Sequence, residues 1–152
     1  MKIIDKNEFD KINCFGLGNE NLTYAKYFIG NSYLNPLTDP KKTVFLTNVT
    51  FEPGCRNNWH IHKSTKGGGQ ILICTAGEGL YQEEGKERIE LKSDMVITIP
   101  ANVKYWHGAK VDSWFSHITI EVPGEIHQQS GVNQYQMKNI INDDLLVIIF
   151  RY

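Results

Sequence analysis

Between residues 43 and 122 the apolar positions fall in short runs, each closed by a glycine, a proline or a polar turn, with no stripe of helical period. Residues 43–52 are rich in Val, Phe and Thr and end at Pro53-Gly54, which predicts a strand. Residues 58–62 are short and extended, and 66–69 hold three consecutive glycines of a loop. Residues 70–76 form an apolar, partly β-branched strand stopped by Gly77. Residues 80–84 and 87–91 flank Gly85-Lys86 and read as a hairpin. Residues 95–99 run apolar to Pro100, then 104–109 and 114–122 follow, and Pro123-Gly124 closes the series. Strands this short and this regularly punctuated predict an all-β sandwich or barrel.

The two ends read differently. A short helical turn is expected around residues 8–12, then a loop at Gly16, Gly18 and Asn19. Residues 24–33 are aromatic with a turn at Gly30-Asn31, and Asn35-Pro36 and Asp39-Pro40 break the chain again. Near the other end, residues 145–150 are six apolar positions after Asn142-Asp143-Asp144. They suit a buried closing strand or part of a helix, and periodicity leaves both open.

Composition narrows the function classes. At 152 residues the chain suits one domain, 1–152, with a core that needs no staples. Sixteen Lys and Arg against seventeen Asp and Glu leave a net charge of -1, so there is no basic field for nucleic acid or an anionic membrane. Cys14, Cys55 and Cys74 are odd in number and form no C-x-x-C pair, which argues against a disulfide framework. The opening residues turn polar too soon for a signal peptide, and no apolar run reaches the ~18 residues of a membrane span. A soluble cytoplasmic protein is expected.

The chemistry concentrates in the histidines. Four of the five lie between positions 60 and 117, each in an expected strand. His60 and His62 are two apart, so on a strand both imidazoles face one side. That geometry suits a divalent metal; a pair of hydrogen-bonded or exposed strand histidines is the alternative.

The surroundings carry a resemblance. Gly54-x5-His60-x-His62-x7-Gln70-x6-Gly77 resembles the first cupin motif, with a longer loop before Gln70 than in many cupins. The second motif resembles Ser93 to Ala109 around Pro100 and His107, with Ser93 and Asn102 where glycines are usual. Among cupins the chain is most similar to the small single-domain group labelled carboxymuconolactone-decarboxylase-associated, which includes manganese-dependent hydroxynitrile lyases. The segments 25–34 and 114–117 carry that likeness, which spans about residues 15–124; the tail from Glu125 onward has no match.

The resemblance implies a double-stranded β-helix (jelly-roll barrel) with a short N-terminal extension. It also implies a transition metal (Mn, Fe, Ni, Co or Zn) held by three histidines and a Gln or Glu. His60, His62 and Gln70 match three of those places, and Tyr105 stands where the fourth ligand, a histidine, is expected. A phenolate could bind there, best with a hard oxidised ion; His107, on the same strand face, could shift in; or the place holds water. A tyrosine pKa near 10 makes a divalent metal compete with a proton. His117 matches a histidine that acts as base near the metal in the hydroxynitrile lyases.

The implied function is metal-assisted, general-base chemistry on a small organic molecule, of lyase, isomerase or oxygenase type. The alternative is a non-catalytic or accessory cupin with a degenerate metal site. A homodimer is expected from the resemblance, with 24–33 as an interface piece. Weaker candidates are Lys66 to Gly69, which lacks the phosphate-loop pattern and suits a mobile loop over the barrel mouth; Trp59, Trp106 and Trp114, which suit core or pocket wall; Cys74, which shares a face with Gln70; and His127, placed at the surface.

Overall fold

The computed structural model describes residues 1–125 in full and, beyond them, the backbone of Ile140–Asn142 and Leu145–Ile148. In chain order the elements are α1 (Lys6–Ile12), β1 (Asn19–Glu20), a 3-10 turn (Ala25–Tyr27), β2 (Phe28–Ile29), β3 (Ser32–Pro36), β4 (Leu46–Phe51), β5 (Arg56–Asn57) and β6 (His60–His62). There follow β7 (Lys66–Gly67), β8 (Gln70–Glu83), β9 (Ile89–Lys92), β10 (Val96–Ile99), β11 (Lys104–Ala109), β12 (Phe115–Glu121), β13 (Gly124–Glu125), β14 (Ile140–Asn142) and β15 (Leu145–Ile148).

Most strands join one sheet, antiparallel but for β15 beside β6, that curls on itself, and β8 makes the curl possible. Residues 70–77 of β8 pair with β12 and residues 70–73 with β10, while residues 78–83 pair with β9 and β11. The strand therefore leaves one part of the sheet and enters the other at Gly77. The sequence reading ended a strand there. Gly77 has φ +71°, and a Cβ on it would sit 1.8 Å from the Trp114 carbonyl oxygen. Only glycine allows that left-handed corner and that approach, so the residue bends a 14-residue strand without stopping it.

The two parts face each other across one core. Val49, Phe51, Leu72, Cys74 and Phe115 come from one side, and Tyr81, Leu91, Tyr105 and Ala109 from the other. A second cluster closes one end, where Phe9 of α1 stacks on Trp114 at 5.5 Å between ring centroids beside Ile3 and Ala76. Asp5 caps α1 by accepting from the Glu8 amide at 3.0 Å.

The expected hairpin at Gly85-Lys86 is present, with Tyr81 opposite Ile89. The glycine loop is tied down: Lys66 pairs with Glu125 and Gly67 with Gly124. Of the apolar run at the far end, Leu145–Ile148 is a strand parallel to β6, while residues 149 and 150 and His127 lie outside the described residues. Among the described residues no helix is long and apolar enough to cross a membrane.

Candidate functional site

Strand periodicity delivers the polar residues to one place. In β6, His60 and His62 point inward and are buried while Ile61 between them is not. Gln70 is the first inward position of β8, and β12 sends His117, Thr119 and Glu121 inward at the same spacing of two. The antiparallel register sets Glu121 directly opposite Gln70, and Tyr105 of β11 directly opposite His60.

These side chains meet at a cavity of about 290 Å³. Its walls are largely apolar, from Tyr24, Tyr27, Phe28, Leu34, Phe45 and Val49, and its polar floor is His60, His62, Gln70, His107 and Glu121. Tyr105 and His117 lie in the layer beneath: the Tyr105 ring is 4.2 Å from that of His60, and the His117 ring 4.8 Å from that of His107. Cys74 packs in the core, where burial pushes its thiol up to about 12, and Trp114 belongs to the end cluster. Trp59 and Trp106 meet edge to face at 6.4 Å, flanked by Lys104 and Arg56.

A chain of hydrogen bonds orders the floor. Glu121 can only accept as a carboxylate, so the Gln70 amide nitrogen turns to it and donates at 2.5 Å. The Gln70 oxygen then faces Tyr105, whose hydroxyl donates to it at 2.8 Å. The other Glu121 oxygen lies 3.2 Å from His62 Nδ1. His60 Nδ1 is 2.8 Å from the Asn58 carbonyl oxygen, so it carries the proton and leaves Nε2 as the lone-pair nitrogen. His107 is held by Asn57, which accepts from the His107 amide at 2.8 Å and sets its side-chain nitrogen 3.3 Å from either ring nitrogen.

Burial dictates the protonation states. It lowers His60 to about 3, reinforced by His62, and lowers His117 to about 4. Burial, then the His117, His60 and His62 rings, holds His107 well below the usual range. All three are neutral near pH 7. Burial first, then the charge of Glu121, holds the Tyr105 phenol far above 10, so its proton is firmly kept.

The metal set implied by the resemblance can be tested on these contacts. His60 and His62 fit a metal-holding pair: their rings are 5.3 Å apart, and each turns Nδ1 to an oxygen, as ligand histidines do. The full four-ligand set does not fit. Tyr105 spends its hydroxyl on the Gln70 oxygen, and among the described residues no three His, Cys, Asp or Glu side chains converge closely enough to hold an ion.

Two floor-ordering residues escaped the sequence reading. Glu121 had a signal, since it continues the inward period of two from His117 and Thr119. Asn57 had none, because its contact with His107 arises from pairing between β5 and β11.

Known proteins place this architecture. The cupin domain model matches residues 47–115. An (R)-mandelonitrile lyase of Granulicella tundricola is 35% identical over 99 residues, covering 64% of this chain and 72% of that protein. A cupin-like protein of Thermotoga maritima with a solved structure is 39% identical, with a TM-score of 0.64 over 71% of this chain and 79% of that one. A predicted oxalate decarboxylase of the same organism shares the fold at 12% identity, with a TM-score of 0.59 over 79% of this chain and 97% of its own. With a curled antiparallel sheet of the same fold and matches that span most of these relatives, the chain belongs to the cupin family.

Proposed function

We propose that this chain is a lyase-type enzyme acting on a small organic molecule that carries a hydroxyl or carbonyl oxygen. The observation that carries the reading is the polar floor. Each buried polar group costs free energy unless it is paired, and gathering five of them beneath an apolar cavity is disfavoured unless a ligand uses them. The likeness to an (R)-mandelonitrile lyase points to cleavage of a carbon–carbon bond beside a hydroxyl.

In that reaction the hydroxyl proton passes to an imidazole, and the carbon–carbon bond pair leaves with the departing carbanion. The carbonyl forms, and the proton then joins the carbanion. His107 is the imidazole on the cavity surface. His117, the other proposed base, is packed behind it and could take the proton only by way of His107; its Nε2 is buried with no hydrogen-bond partner among the described residues. Both begin neutral, as a base must.

A divalent transition metal is a second reading, supported by the orientation of the two imidazoles. His60 and His62 would hold it, Gln70 and His107 would have to draw closer to complete the set, and it would supply Lewis acidity when bound. A homodimer, expected from the resemblance, belongs to the same proposal and is checked by the mass in solution.

The test is turnover of cyanohydrins, followed by carbonyl absorbance, with metal content measured on the same sample. Turnover lost in His60→Ala supports the enzyme reading. Absence of turnover across cyanohydrins and related hydroxyl compounds, with and without added Mn, Fe, Co, Ni or Zn, overturns it.

A further inference from the structure

We propose that Thr47 gives the apolar wall of the cavity a polar contact of its own, so that the pocket selects a molecule with a further hydroxyl or ether oxygen away from the floor. The inference rests on the reading that the cavity binds a small molecule. Along β4, Val49 and Phe51 join the core, while Asn48 and Thr50 on the opposite face bond to Asn13 and Ser116. The strand period of two therefore turns Thr47 inward, where it lines the cavity.

The fold leaves the Thr47 hydroxyl idle. Thr47 is 6% exposed, and its Oγ1 has no hydrogen-bond partner among the described residues. The register sets Thr119 directly opposite, the kind of partner a threonine finds across an antiparallel pair. The Thr119 hydroxyl is engaged elsewhere, 3.2 Å from His117 Nδ1. Burying an unpaired hydroxyl disfavours the folded chain, and valine would fill the same space without that penalty. Tyr27 repeats the pattern: it is buried, lines the same cavity, and its hydroxyl has no partner among the described residues. A ligand that uses them accounts for two idle hydroxyls on the wall of one cavity.

A threonine carries a hydroxyl and a methyl on one carbon, and a turn of about 120° around Cα–Cβ exchanges them. The wall can thus offer a methyl to an apolar ligand and a hydroxyl to a ligand oxygen. Thr47 stands on β4, whereas His60, His62 and Gln70 of the floor come from β6 and β8. A ligand that meets both is polar at two separate places, with an apolar body between them.

The experiment titrates the full chain calorimetrically with 3- and 4-hydroxybenzyl alcohol, and with the methylbenzyl alcohols of the same substitution. In the latter a methyl of nearly equal size replaces the second hydroxyl. The wild type is expected to favour the hydroxy compound in at least one pair by about fivefold, the worth of one hydrogen bond. Thr47→Val should remove that preference, and Thr47→Ser should keep it. The melting temperature of Thr47→Val should match that of the wild type or exceed it by up to about 4 °C, since the fold loses an unpaired group. A role confined to the fold would lower that temperature and leave the preference unchanged, and either result overturns the proposal. Absence of any preference for the hydroxy compound in both pairs, in the wild type, overturns this proposal alone and needs no variant to fold. Binding of none of the probes overturns the ligand-site reading, and this inference with it.

Discussion

Removing one oxygen atom, in Tyr105→Phe, tests the hydrogen-bond chain that replaces a histidine in this cupin. Tyr105 is fully buried and its hydroxyl donates to Gln70 at 2.8 Å. Phenylalanine fills nearly the same volume, so little cavity cost arises and the loss comes from the polar side. The bond itself contributes about 1 kcal/mol, and leaving the buried Gln70 oxygen without its donor costs about 1–3 kcal/mol more. The phenol no longer has to be dehydrated, which offsets part of this. A net loss of about 2 kcal/mol is expected. With a urea slope near 2 kcal/mol/M the midpoint falls by about 1 M, the slope unchanged. For a chain of this size the melting temperature falls by about 4–8 °C. A midpoint equal to or above that of the wild type would show that the Gln70 oxygen does not depend on the phenol, and the ordering of the floor would have to be rebuilt.

Further outcomes follow from the same contacts. His60, His107 and His117 titrate lower when folded than at the unfolded value near 6.5, so the unfolded chain binds their protons first. Stability should be full well above pH 6.5 and fall from about 6.5 down to about 4 for His117 and about 3 for His60, each histidine contributing a slope of about 1.4 kcal/mol per pH unit, as read by urea titrations across that window; a flat profile would contradict their neutral burial. Gly77→Ala, facing the Trp114 carbonyl, should cost well over 2 kcal/mol, while Gly85→Ala, with φ +77° and open space around it, should cost about 1 kcal/mol; similar melting shifts for the two would refute the corner argument. Tyr105→His should raise bound metal toward one ion per chain after loading with Mn or Fe, measured by elemental analysis, and an unchanged content would show that the missing histidine is not what limits metal binding.

Much of this was legible because strand chemistry is local. The segment 104–109 coincides with β11, Pro53-Gly54 and Pro100 end their strands, and the spacing of His60 and His62 alone placed both rings on one face. The histidine positions and the two motifs pointed to His60, His62, Gln70 and His107 of the cavity floor, and not to Glu121. What escaped depends on residues far apart in the chain. Gly77 looks the same locally whether it ends a strand or bends one, and only the backbone at Trp114 decides. The depth of His117, one layer beneath the cavity, is set by how β12, paired with β4 and β8, packs against β11 across the barrel, and sequence spacing carries no depth. Tyr105 was visible as a departure, but its partner was not, because the Gln70 amide is oriented by Glu121 from a third strand.

β8 belongs to both parts of the sheet, and that has a consequence for how the molecule comes apart. Neither part can shed its pairing with β8 without loosening the one strand that the other part also pairs with, so partial opening of one half has no cheap route. The amides of residues 71–82 should then exchange with solvent only through global unfolding, as one slow block spanning Gly77. Folding in turn must wait for pairings between residues far apart, such as Gln70 with Glu121 and Tyr81 with His107. The slow step of folding would be that double closure around one strand.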